Sequence, residues 1–242
     1  MSASQPGTWQ LDREIERRRR LEQRIYRDLV NPRPGTHWQT VKKMLVDPDY
    51  AQSVIRKNLY KHLDTVLPRR GPLPTTDRLV LELEVFQYYQ SRADIEDVLF
   101  VGCDGDTAHY ENSYFGNKRF VTLEPNPANR KFGASHHVEA VLQSLGEHFP
   151  PAAFDLIICN GVIGFGLDTP EACEAAFEQC HHCLREGGQL LVGWNDLPHR
   201  TPCPLEQIHS LSRFHKHRFP PLGAWRYRTD TAYRHVFDFY IK

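Results

Sequence analysis

Glycines and acceptor side chains recur at one kind of place in this sequence, the end of a short apolar run. Val98-Leu-Phe-Val leads into Gly102, Cys103, Asp104 and Gly105. Glycine at such a point lets a ligand reach the backbone and permits a positive φ. Phe120-Val-Thr-Leu ends on Glu124 and Pro125, 22 residues beyond Gly102. A carboxylate at about that distance in a nucleotide-binding sheet accepts both hydroxyls of a ribose, and its charge strengthens the bonds. His137-Val leads into a second carboxylate, Glu139, and Ala140; Phe154-Asp-Leu-Ile-Ile-Cys leads into Asn160, Gly161 and Val162. Cys183-Leu-Arg-Glu-Gly187-Gly188 predicts a helix end with a left-handed Gly-Gly cap, and Gln189 to Trp194 a strand that ends on Asn195 and Asp196. Each motif alone also suits an ordinary turn or surface acid. The dinucleotide fingerprint is not matched, since counting from Gly102 its third and sixth positions hold Asp104 and Thr107.

The elements that must position these residues follow from hydrophobic patterning. Strands are expected at 98–101, 119–123, 137–140, 154–159 and 189–194, with a closing strand near 235–241. Helix-sized segments lie between them, including 170–184. Strands alternating with helices imply right-handed crossovers and a mostly parallel sheet, with ligands at the carboxyl ends of its strands. The run at 154–159 is almost wholly apolar, as suits a strand buried on both faces. The first 95 residues read as helices, at about 9–30, 38–67 and 78–92, with Thr76 or Asp77 as cap of the last. The expected division is a helical extension at 1–95, covering a sheet domain at 96–242.

In this order the five motifs resemble those of the class I S-adenosylmethionine-dependent methyltransferases, over about residues 98–196. The resemblance implies an α/β fold: a Rossmann-like, mostly parallel seven-stranded sheet with helices on both faces, plus the N-terminal helical extension. It also implies S-adenosylmethionine as cofactor. The turn at Gly102, Cys103, Asp104 and Gly105 would cradle its amino-acid part. Glu124, with Pro125, would meet the ribose, and Glu139, with Ala140, the adenine amino group. Asn160, Gly161 and Val162 would face the reacting methyl. The sequence departs from the family in having Phe100 where an acid is usual, and Asp104 and Asp106 where glycines are usual. Asn160 is followed by Gly-Val-Ile, so the Asn-Pro-Pro-Tyr signature of nucleobase methylation is absent.

Methyl transfer from a sulfonium is a direct displacement, so alignment and exclusion of water matter most, and a base only where the nucleophile carries a proton. Asp196, His199 and His109 are the candidate bases; Tyr110, Trp194 and Asn195 are candidates for holding the acceptor. The 242 residues carry 30 basic and 30 acidic side chains. Zero net charge disfavours nucleic acid as partner and favours a small-molecule acceptor. The Arg17–Arg20 run is surrounded by acids and suits a salt-bridged helix face. No apolar run is long enough to span a membrane. The N-terminus does not resemble a secretory signal, so the six cysteines are expected reduced in a cytoplasmic protein. Cys180-His-His-Cys183 has a zinc-ligand spacing, but the sequence offers no second pair, and core packing explains it better, so no metal is expected. Two further readings share the fold: another use of the nucleotide, by aminopropyl transfer or redox chemistry, and a non-catalytic binding module.

Overall fold

The computed structural model describes residues 76–198, 200–231 and 233–242. The expected helices at 9–30 and 38–67, the Arg17–Arg20 run and His199 lie outside them. The first described helix, α1, runs from α-helical Thr76–Leu79 through π-helical Val80–Phe86 to α-helical Gln87–Ser91. Five strands follow: β1 (Asp97–Val101), β2 (Arg119–Leu123), β3 (His136–Val138), β4 (Phe154–Asn160) and β5 (Leu184–Asn195). The long helix α2 (Pro170–Cys183) lies between β4 and β5. β6 (His215–Lys216), β7 (Arg226–Arg228) and β8 (His235–Ile241) complete the sheet.

The strand order is β3-β2-β1-β4-β5-β8-β6, with β7 also paired to β8. β3 to β5 pair in parallel, and β8 returns antiparallel to β5. Among the described residues the sheet has eight strands where seven were expected, because β6 and β7 share the outer edge of β8 as two short pieces. Strand order reverses at β1 and β4, which opens a crevice where their carboxyl ends diverge.

Period-two alternation divides the core between the two faces. Leu99 and Val101 of β1 pack with Cys173, Phe177 and Cys180 of α2. Val98 and Phe100 pack with Leu81, Val85 and Phe86 of α1 and with Tyr110 and Phe115. Phe100, at the site of the family's usual acid, is therefore a core residue. Thr169 caps α2 by accepting from the Ala172 N–H, and Pro170 suits the first turn, where its missing N–H costs nothing.

The Gly-Gly turn differs from its expected form. Leu184, after α2, is extended and already pairs with Phe154. Gly187 does adopt a left-handed φ of +73°, but inside β5, where the register to β4 shifts. Its N–H donates to the Lys242 carbonyl, so the turn closes on the chain end instead of capping the helix. Among the described residues no helix is long and apolar enough to cross a membrane.

Candidate functional site

A cavity of about 470 Å³ lies over the carboxyl ends of β1, β2, β4, β5 and the start of β8. Its floor begins at Gly102, whose N–H donates to the Leu123 carbonyl and whose φ is +86°. A Cβ there would sit 3.4 Å from Val162 and carry backbone strain. The turn beyond it is closed by acids and a threonine. The Asp104 carboxylate accepts from the Asp106 N–H at 2.8 Å, and the Thr107 hydroxyl accepts from the Asp104 N–H at 3.1 Å. Asp104 thus shapes the turn by a side-chain-to-backbone bond where the family usually has glycine.

Glu124 is fixed before any ligand arrives. One carboxylate oxygen accepts from the Cys103 N–H at 3.1 Å and the other from the Asn126 N–H at 2.9 Å. The first oxygen keeps a lone pair, and the second also accepts a longer bond from the Asn129 amide at 3.4 Å, so the carboxylate is pre-aimed as an acceptor. Burial pushes the neighbouring Cys103 thiol up to about 12, so it stays protonated near neutral pH.

At the opposite end three polar side chains meet. His235 Nδ1 lies 2.8 Å from Asn195 Oδ1, and Nε2 lies 3.1 Å from Asn160 Oδ1. Burial, aided by the charge of Arg78, lowers the His235 pKa to about 3, so the ring is neutral. Asp77 and Arg78 of α1 line the wall beside them. Burial raises the Asp77 carboxyl above the ordinary range, against hydrogen bonds with Thr229 and Thr231 and the charge of Arg78.

Residues 99–192 match the family model described as "Methyltransferase domain". That stretch runs from β1 to β5 and carries both Glu124 and Asn160. Over that stretch the chain is similar to this family. Two solved structures share the fold. N-methyltransferase NodS from Bradyrhizobium japonicum is 15% identical, with a TM-score of 0.51 over 69% of this chain and 98% of that one. A TehB-like SAM-dependent methyltransferase from Corynebacterium glutamicum is 14% identical, with a TM-score of 0.52 over 79% and 98%. No curated protein matches the chain.

The cavity gathers Gly102, Cys103, Asp104, Glu124, Pro125, Ala140, Asn160, Gly161, Val162 and Asn195 from the residues singled out in the sequence. It leaves out others. Gly105 lies in the turn but off the wall. Glu139 follows β3, is exposed, and pairs with Arg130 at 3.9 Å. His109 and Tyr110 point into the opposite core, where both bond to Glu82. Trp194 donates to the buried Asp238 at 3.1 Å, and Asp196 is held by Arg228 and Arg234. Both line a separate hollow on the α2 side of the sheet. Near β5 the alternation of side chains sends Asn195 to the cavity and its two neighbours elsewhere.

The cavity is also lined by residues that the motifs did not flag. Asp77 and Arg78 arrive from α1, and His235 and Phe237 from β8. Local patterning carried no sign of them, because it is the antiparallel pairing Asn195↔His235 that brings β8 to the cavity. The buried cysteines of α2 pack in the core, with Cys159 and Cys180 sulfurs 4.0 Å apart. Among the described residues no group of three or more His, Cys, Asp or Glu is arranged to hold a metal ion.

Proposed function

We propose that this chain transfers a methyl group from S-adenosylmethionine to an oxygen or nitrogen atom of a small-molecule acceptor in the cytoplasm. The observation that carries this reading is one continuous cavity with two chemically distinct ends. One end has a glycine-turn floor and a pre-aimed diol acceptor, Glu124. The other has the hydrogen-bonding groups Asn160, Asn195 and His235, with Asp77 and Arg78 on the wall beside them. Glu124 would hold the ribose, the turn at Gly102 to Asp104 the amino-acid part, and the wall at Ala140 and Leu142 the base. The bound cofactor supplies an electrophilic methyl on a positive sulfur. The chain aligns an acceptor with it and keeps water out. The protonated Cys103 thiol does not compete as a nucleophile.

The rim supports an acceptor with an apolar body. Val141, Phe165 and Tyr233 are the large apolar side chains left most exposed among the described residues, at 47%, 54% and 40%, and all three border this cavity. Exposed apolar groups gathered around one opening mark a binding site. Arg200 stacks over the Phe165 ring at 4.2 Å and steadies it.

Calorimetry with S-adenosylmethionine and its demethylated product, S-adenosylhomocysteine, tests the reading. The wild type is expected to bind both. Glu124→Ala is expected to weaken both by about ten- to a hundredfold, the worth of hydrogen bonds to a charged acceptor. S-adenosylhomocysteine release is then followed against a panel of phenols, alcohols and amines. A wild type that binds neither ligand would sink the proposal.

A further inference from the structure

Asn160 closes β4, Asn195 closes β5 and His235 opens β8, so three strands deliver one polar chain, Asn195–His235–Asn160. The neutral imidazole carries one N–H and one lone pair. It can donate to only one of the two amide oxygens within reach. The other amide must turn its NH2 toward the ring's bare nitrogen. Two arrangements satisfy the set. In the first, Nδ1–H donates to Asn195, the Asn160 amide donates to Nε2, and the Asn160 carbonyl oxygen faces the cavity. In the second, Nε2–H donates to the Asn160 oxygen, and the Asn160 NH2 faces the cavity.

The two arrangements suit opposite ligands. An amine or alcohol brings a hydrogen that needs an acceptor, and at Asn160 only the first arrangement offers one. The position is also the relevant one. Strands lie about 5 Å apart, so two steps, from Glu124 on β2 across β1 to Asn160 on β4, reach about 10 Å from the ribose acceptor toward the reacting end. The close fit of the array depends on Gly193. A Cβ there would fall 1.9 Å from Asn160 Oδ1 and 3.0 Å from His235 Nε2.

We infer that His235 is a positioning residue: with Nδ1–H anchored on Asn195, it holds Asn160 so that its carbonyl oxygen faces the cavity and accepts a hydrogen of the incoming amine or hydroxyl group. The inference rests on the methyl-transfer reading of the cavity and assigns the acceptor class that this end selects.

Sinefungin provides the probe, since it carries an amine-bearing carbon where the cofactor has its methylated sulfur. Its affinity relative to S-adenosylhomocysteine reports what the protein presents at that point. Calorimetry is expected to show that the wild type prefers sinefungin. His235→Phe keeps a ring of similar size and is expected to lose about tenfold of that preference, the worth of one charge-assisted hydrogen bond. Asn160→Asp in the His235→Phe background is expected to restore it, because a carboxylate offers only oxygens whichever way it turns. A merely structural role would weaken both ligands together and leave their ratio unmoved, and that result overturns the inference. Nitrogen-15 NMR of the wild-type imidazole with S-adenosylhomocysteine bound reads the tautomer without any variant. Nδ1–H is expected, and Nε2–H overturns the inference. A wild type that binds neither ligand overturns the methyl-transfer reading and this inference with it. Binding of both with an unchanged ratio overturns this inference alone.

Discussion

Glu82 has no contact with solvent, yet its carboxylate accepts from His109 Nε2 at 2.9 Å, Tyr114 Oη at 3.0 Å and Tyr110 Oη at 3.3 Å. Arg78 donates in turn to the Tyr110 hydroxyl, which joins this buried cluster to the cavity wall. The arrangement accounts for two side chains whose place after the glycine turn suggested chemistry. His109 and Tyr110 are donors to a buried acid on α1, and they tie α1 to the turn. Glu82→Gln keeps the size of the side chain but sets an NH2 against groups that all donate. It is expected to destabilise the fold by about 2–4 kcal/mol, read as a lower urea midpoint with an unchanged slope. The place of Glu124 on the cavity wall could be read from the sequence because it needs only a strand end and a fixed distance from Gly102. Glu82, Arg78 and His235 could not, because each is defined by a partner distant in the chain.

Among the elements, β4 and β5 decide the shape of the cavity end that holds Asn160. Their parallel register sets Asn160 opposite Gly193, and the Gly161 N–H donates to the Gly193 carbonyl at 2.8 Å. Gly193 has ordinary strand geometry, so its value is the space above it, which the Asn160 side chain fills. Gly193→Ala is therefore expected to displace Asn160 from His235 and cost about 1–3 kcal/mol by overpacking. Thermal unfolding measures the cost, and a Tm within a degree of the wild type would contradict it. The sequence placed the second half of β5 along the chain but not its start, which comes at Leu184 and takes in the Gly-Gly turn. Which of Trp194, Asn195 and Asp196 faces the cavity followed only from the side-chain alternation once β5 had been set between β4 and β8.

For the molecule as a whole, one sheet separates two cores that share its strands. Phe177 of α2 is fully buried on one face and Phe86 of α1 on the other. Successive residues of β1 serve opposite faces, so neither core can be lost while the other keeps its backing. Phe177→Ala and Phe86→Ala are each expected to cost about 3–5 kcal/mol. Each is expected to shift a single transition, seen alike by near- and far-ultraviolet circular dichroism. Separate transitions for the two probes would show that the faces unfold independently.

The sequence by itself determined the succession of β1 to β5, α2 and β8, the glycine turn after β1 and the acid after β2. These depend on local patterning: apolar runs of strand length, glycine where a side chain would obstruct, and proline where a strand must stop. The tertiary structure alone decided which polar residues share the cavity. β8 runs back antiparallel beside β5 and sets His235 against Asn195, while α1 crosses the other face and brings Asp77 and Arg78 to the wall. Such meetings depend on strand pairing and on the packing of distant segments, and no local spacing in a chain encodes them.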